Sequence, residues 1–251
     1  MASITSSSTD TTITFGDITF KVTYAEHITH EERQLIPNEP KMFNWIQEFC
    51  KNIDDKQIHG IHVRLADWFG PKKAGRLGFI NMVVDVKNAD GSFIPGITFI
   101  RGGTVAVLVT ATITETKEEY YILTKQYRTP VGKAIHELPA GMLDGNGDFA
   151  GVAANELREE AGINIPSDKL QKIGHIYPSP GGCDEDIILY SCEVEMTQDQ
   201  FLSKKIQRFG LTSEGEDIRL VFIKKSEMRQ YILDTPVVDA KFTSALYYNS
   251  L

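Results

Sequence analysis

The sequence is short of three things, and each shortage removes a class of protein. It has only three cysteines, Cys50, Cys183 and Cys192, with no apolar leader ahead of them. An odd number without a leader argues against a disulfide framework and for a reducing compartment, so a cytoplasmic protein is expected. No apolar run approaches the roughly 20 residues that a membrane-spanning helix needs, so no membrane partner is expected. Positive charge is also scarce: 26 Lys and Arg face 34 Asp and Glu, a formal net charge of -8. Binding to a nucleic-acid backbone rests on basic surface, so nucleic acid is not expected as a partner, and an RNA-decapping role has no basic tract to draw on. A chain this acidic needs metal ions if it handles phosphates. The opening stretch holds no Arg or Lys before Lys21, unlike an Arg-rich transit peptide, and residues 1–10 read as a loose tail entering a strand.

What is present is an ordinary globular composition, 41% hydrophobic and 24% charged over 251 residues, with no internal repeat and no low-complexity linker. An alternating segment runs from Thr11 to Thr23, and Met42, Trp45, Ile46, Phe49 and Cys50 then recur at helical spacing. Extended runs follow at Gln57 to Leu65 and Arg76 to Val86, and Asn88-Ala89-Asp90-Gly91 supplies turn chemistry before a third run from Phe93. These elements predict a small N-terminal antiparallel sheet with one helix. Beyond residue 99, Thr104 to Val109 and Tyr120 to Leu123 read as strands joined by a polar hairpin connection, and further strands are expected near Lys172 to Ile176, Ile187 to Val194 and Asp217 to Ile223. Helices are expected over Gly151 to Ala161, stopped by Gly162, and over Asp239 to Tyr248. The fold class is α+β.

The chemistry gathers in Gly141 to Ile163, GMLDGNGDFAGVAANELREEAGI. On a helix Glu156, Glu159 and Glu160 share one face and repel one another unless a cation intervenes. Each such pair costs only ~0.2–0.5 kcal/mol when exposed, so an isolated E-x-x-E-E is ordinarily a solvated helix face. The flanking glycines and the preceding Glu137-Leu138-Pro139-Ala140 change that reading, because the whole segment resembles the Nudix box, G-x5-E-x7-R-E-U-x-E-E-x-G-U, with U a bulky apolar residue. Seven of the nine defined positions match: Gly141, Glu156, Leu157, Glu159, Glu160, Gly162 and Ile163. Gly147 stands where the family has Glu, and Asn155 where it has Arg, which removes a bidentate fork that orients the carboxylates.

Beyond the box the chain is similar to ADP-sugar and ADP-ribose diphosphatases of that family in PGITFIRGGTVAVLV from Pro95, ILTKQYRTPVGKAIHELPAGMLD from Ile122, YPSPGGCDEDIILY from Tyr177 and SEGEDIRLVFIKKSEM from Ser213. The resemblance implies an α/β/α sandwich with a mixed sheet over residues 99–251, and residues 1–98 as a sheet region contributing to a homodimer. It implies hydrolysis of a nucleotide-sugar substrate, ADP-glucose or ADP-ribose, to AMP and a sugar phosphate. Mg2+ or Mn2+ would be held by Glu156, Glu160, the Ala140 carbonyl, Glu159 and Glu216, with Glu214 as the base and Glu159 also serving catalysis. Arg101 and Arg128 would meet the phosphates. Pro180 and Gly181 would shape the substrate loop, with Glu185 as a nearby carboxylate and Gly181-Gly182 allowing close backbone approach. Trp68 and Phe69 stand as either base-stacking or core residues, His136 as either a proton carrier or a packed strand residue, and Cys183 has no His partner. A UDP- or GDP-sugar hydrolase shares the same metal chemistry, and a nucleotide-sugar sensor without turnover is the reading that Asn155 and Gly147 motivate.

Overall fold

The computed structural model describes residues 2–6, 11–70, 75–143, 148–211, 216–235 and 238–251. It comprises two compact units, one of residues 1–102 with 179–185, the other of residues 103–178 with 186–251. Among the described residues no helix is long and apolar enough to cross a membrane.

The first unit carries a seven-stranded sheet. Its elements are β1 (Ala2–Ser6), β2 (Thr11–Phe15), β3 (Ile18–Tyr24), α1 (His30–Leu35), α2 (Pro40–Lys51), β4 (Gln57–Phe69), β5 (Arg76–Lys87), β6 (Phe93–Ile94) and β7 (Ile97–Ile100). β2 and β3 form a tight hairpin at Gly16, whose φ of +59 is open to glycine without strain. Two expectations are corrected here. Ala2–Ser6 is not a loose tail but pairs with β2, because an edge strand takes its hydrogen bonds from backbone alone and Ile4 packs on the core of this unit. The sheet is not wholly antiparallel either: β3 and β4 run parallel, since α1 and α2 lie between them and a crossover returns the chain in the same direction. α1 is fixed by a capping box between Thr29 and Glu32, and α2 buries Met42, Ile46 and Cys50 as its spacing predicts. The run from Phe93 breaks at Pro95-Gly96, where a Cβ on Gly96 would stand 1.8 Å from the Val84 carbonyl oxygen.

The second unit holds a mixed eight-stranded sheet in the order β12-β13-β8-β9-β15-β14, with β10 on β9 and β11 on β8. Its elements are β8 (Thr104–Ile113), β9 (Glu119–Arg128), β10 (Lys133–Glu137), β11 (Ala140–Met142), α3 (Phe149–Ala161), β12 (Gln171–Ile176), β13 (Ile187–Met196), α4 (Gln198–Ile206), β14 (Arg208–Phe209), β15 (Ile218–Lys224), α5 (Met228–Asp234) and α6 (Ala240–Tyr248). β8 and β13 are parallel and central, and β8 is buried on both faces, which explains its unbroken apolar run. Val105, Val107 and Val109 pack under Leu157 of α3 and Phe201 of α4. Ala106 and Leu108 face the other way, toward Met228 of α5 and Phe242 of α6. Helices therefore cover both faces of one sheet, the α/β/α arrangement expected from sequence. α4 went unread, although Thr197 and Gln200 form its capping box.

Candidate active site

α3 places the carboxylates. Asp148 caps its start by accepting from the Gly151 amide at 2.9 Å, and Gly162 closes it in the left-handed conformation at φ +59. Its inner face rests on β11. A Cβ on Gly141 would stand 1.8 Å from Oε1 of Glu156, so only glycine lets that carboxylate lie against the strand. One helical turn on, Glu160 is 3% exposed and its Oε2 accepts from the Ala140 amide at 2.9 Å. Burial first, and then the charges of Glu156 and Glu216, push the Glu160 carboxyl up to about 8 against the opposing pull of the Ala140 amide and Arg128. Glu216 is held at the C-terminal end of α3: its Oε2 accepts from the Leu211 amide at 2.9 Å, and the Gly210 amide donates to the Glu159 carbonyl at 3.1 Å.

Glu159 is placed differently. Its Oε1 pairs with Arg158 at 2.9 Å, and Arg158 also donates to Asn155 at 3.4 Å, so an arginine does stand beside the position where the box has lost one. Among the described residues no three His, Cys, Asp or Glu side chains form a ready metal-holding group. Glu214 and Gly147 lie outside the described residues. The hard oxygen donors of half-buried Glu156 and buried Glu160, one turn apart on α3 and both set against β11, fit a divalent cation in chemistry and in charge.

A second cluster in the same unit was missed by sequence reasoning. Glu137, 4% exposed, takes both Nε and Nη2 of Arg128, at 2.6 and 3.2 Å, and Nζ of Lys241 at 3.0 Å. Burial would raise the Glu137 carboxyl, but the two cations outweigh it and hold it below the ordinary carboxylate range. Asp239, which precedes α6, lies 3.4 Å from Lys241 and is raised by burial. The donor fork of Arg128 is thus engaged by protein. Glu137 sits in the quoted ELPAG stretch, but its partner Lys241 is 104 residues away and leaves no local signal. His136 is hydrogen-bonded through Nδ1 to the Tyr231 hydroxyl and stacked on that ring, as a packed strand residue would be.

The remaining expected residues lie in the first unit. Arg101 pairs with Glu185 at 3.3 Å, while its Nε is buried without a hydrogen-bond partner. Asp184 accepts from the amides of Arg101 and Gly102 at 2.7 and 3.1 Å, and the Phe99 amide donates to Gly182, which ties the loop of Pro180 and Gly181 to the end of β7. Added Cβ atoms on Gly181 and Gly182 would meet nothing within 4 Å. Cys183 is raised by burial, so it stays a thiol. Trp68 packs against the core of its unit, and Phe69 meets Phe79 edge-on with Arg76 over its ring. The structure thus sets Ala140 against Glu160, with the charges of Glu156 and Glu216 acting on it, in one unit, and places Arg101, Glu185, Pro180 and Gly181 in the other.

A family model described as the NUDIX domain matches residues 104–224. The chain is 37% identical over 185 residues to Nudix hydrolase 14, chloroplastic, of Arabidopsis thaliana, covering 68% of this chain and 57% of that protein. It is 32% identical over 149 residues to an ADP-ribose pyrophosphatase of Bacillus subtilis, covering 59% of this chain and 72% of that protein. The chain therefore spans a little over half the length of the Arabidopsis relative. A crystal structure described as an ADP compounds hydrolase superposes with a TM-score of 0.53 at 15% identity, covering 78% of this chain and 93% of that one, a likeness of fold.

Proposed function

Because this chain belongs to the Nudix family, we propose that it hydrolyses the diphosphate bond of ADP-sugars, ADP-glucose or ADP-ribose, to AMP and a sugar phosphate. The observation that carries the reading is Glu160, buried beside Glu156 on a helix whose remaining acidic neighbours make its charge unfavourable. A divalent cation would relieve that unfavourable charge, and hard carboxylate oxygens are the donors it takes. Glu156, Glu160, Glu159, Glu216 and the Ala140 carbonyl would hold Mg2+ or Mn2+. When bound, the metal neutralises the diphosphate and activates water for attack at phosphorus. The Ala140 amide orients Glu160 by its 2.9 Å hydrogen bond, and Gly141 gives Glu156 its place. Glu214 is assigned to accept the proton from the attacking water and Arg101 to meet the phosphates; Arg128, whose Nε and Nη2 are held by Glu137, would reach a phosphate only through its remaining Nη1. The preference for adenine rests on the names of the relatives.

The sheet of the first unit is assigned to a homodimer interface, which sedimentation of the full chain tests. The protein is assigned to the cytoplasm, and imaging of a full-length chain tagged at its C-terminus tests that against the chloroplast, where the name of the Arabidopsis relative places it.

A second reading, a nucleotide-sugar sensor without turnover, is favoured by one observation: Asn155 replaces the box arginine, and Glu159 is tied to Arg158 instead. Mg2+-dependent turnover of ADP-glucose, ADP-ribose, UDP-glucose and GDP-mannose, with products resolved by chromatography, separates the readings. AMP release that Glu160→Gln abolishes supports the diphosphatase. UMP or GMP would move the base preference, and saturable binding with no product from any substrate would leave the sensor.

A further inference from the structure

A group outside the carboxylate cluster stands on the same face of the same sheet. β12 contains a bulge: Lys172 pairs with Tyr190 and Gly174 with Leu189, so Ile173 is an extra residue on its strand. Bulges re-aim the side chains that follow them. Gly174 turns toward α6, where a Cβ would stand 2.8 Å from the Tyr248 ring, and His175 turns to the opposite face, across from Ile188 of the α3-side core. The pairings His175 to Ile188, Ile188 to Val105 and Val105 to Gly141 form one transverse row across β12, β13, β8 and β11. Directly opposed residues share a face. His175 therefore lies on the side where Glu156 meets Gly141, with its Cα about 14 Å from that of Gly141 at the usual strand spacing.

The far end of the row is polar and built. His175 Nε2 lies 2.7 Å from Oδ2 of Asp186, whose side chain has room only because residue 103 is glycine: a Cβ there would come within 2.7 Å of Oδ1. The Asp186 carbonyl accepts from the Thr104 amide at 2.8 Å, which fixes its backbone against β8. The Tyr177 ring stands 5.6 Å from the His175 ring and is 58% exposed. In the tautomer that donates Nε2–H to Asp186, Nδ1 of His175 and Oδ1 of Asp186 are both acceptors. Two acceptors beside an exposed aromatic ring receive the hydroxyl donors and the apolar face of a sugar ring, and they repel phosphate.

We propose that His175, Asp186 and Tyr177 form a sugar subsite that selects the sugar carried on the diphosphate. The inference rests on the nucleotide-sugar reading and adds its specificity determinants.

The test compares kcat and KM with Mg2+ for wild type, His175→Ala, His175→Gln and Asp186→Asn. The substrates are ADP-glucose, ADP-glucose analogues each lacking one glucose hydroxyl, and 2′-deoxy-ADP-glucose. The wild type is expected to disfavour at least one deoxyglucose analogue by about 10-fold or more in kcat/KM, since an unpaired polar group in a site is penalised. His175→Ala is expected to raise KM for ADP-glucose about 10-fold with kcat little changed, and to erase the discrimination against that analogue. An equal loss on parent and analogue, as a structural role would give, overturns the proposal, as does an unchanged KM. Discrimination lost only on the 2′-deoxy substrate would move the subsite to the nucleoside ribose and overturn the sugar assignment. His175→Gln, at an exposed position, guards against misfolding. If wild type turns over no nucleotide sugar, the functional reading fails and this one with it. Turnover with discrimination intact in every variant sinks the subsite alone.

Discussion

Glu137 and Glu160 are buried to nearly the same depth, 4% and 3% exposed, in the same unit, yet their carboxyls move in opposite directions. Glu137 lies between Arg128 and Lys241 and is held below the ordinary carboxylate range; Glu160 faces Glu156 and Glu216 and is pushed up to about 8. Burial is the largest influence on both, so depth alone does not distinguish a structural carboxylate from one awaiting a cation. The sign of the neighbours does. Around Glu137 the protein supplies its own cations and the network is complete. Around Glu160 the charges of Glu156 and Glu216 outweigh the pull of Arg128, and a cation from solution would relieve them.

Substitution to glutamine tests this contrast most strongly in activity. Glu160→Gln is expected to lower kcat/KM by on the order of 10^3-fold, about 4 kcal/mol of transition-state stabilisation, while the chain stays folded. Chelation of divalent metal should do the same to wild type. Gly141→Ala should follow at about 10^2-fold, because the new Cβ would occupy the place of the Glu156 carboxylate. Retention of full activity by either variant would separate the cluster from the chemistry.

Stability should respond with the opposite order. Glu137→Gln removes the carboxylate that Arg128 and Lys241 share and leaves Lys241, whose side chain is 15% exposed, with Asp239 at 3.4 Å; a loss of about 2–3 kcal/mol is expected, a Tm drop of roughly 5–10 °C. Glu160→Gln should instead raise the Tm of the metal-free chain at pH 8. Equal shifts in the two variants would erase the distinction between the two sites.

The pH dependence sharpens it further. Because the folded-state carboxyl of Glu160 titrates at about 8 and an unfolded Glu near 4.3, its ionisation weakens the metal-free fold progressively as pH rises through that window. For Glu137 the folded value is depressed, so its contribution is present above the unfolded value and is lost as pH falls through the folded one. Thermal melts without metal should therefore show Glu160→Gln gaining on wild type from about pH 5 to pH 8, and Glu137→Gln converging with wild type in acid. Saturating Mg2+ should cancel the first trend and leave the second.

The parts of this contrast that the sequence could reveal were the local ones. Glu156 and Glu160 declare a shared face by their spacing, Gly162 ends the helix it follows, and the buried run Thr104 to Val109 reads as a central strand. The thirteen-residue β4, the parallel β3–β4 pair and strand β1 needed the whole sheet, since pairing partners lie far apart in the chain. Lys241 was illegible for the same reason, and so was His175, whose direction depends on a bulge that no spacing rule reveals. Arg128 shows the cost of reading one partner at a time: its fork suits a phosphate, but Glu137 takes it first.

The smallest effect is expected at the surface. Arg158 and Glu159 form a pair whose side chains are 57% and 30% exposed, and such pairs contribute ~0–1 kcal/mol to stability. Arg158→Ala should leave the melting temperature within about 2 °C of wild type. Its kinetic effect is the more telling measurement. Arg158 bridges Glu159 to Asn155, where the box has lost its own arginine. If that bridge orients Glu159 toward the metal, Arg158→Ala raises the Mg2+ concentration for half-maximal rate several-fold, and the added change Asn155→Arg restores it. An unchanged Mg2+ requirement would make the pair a solvated surface contact. The carboxylates of Glu156 and Glu160, set by α3 against β11, would then carry the site without help from the box's missing fork.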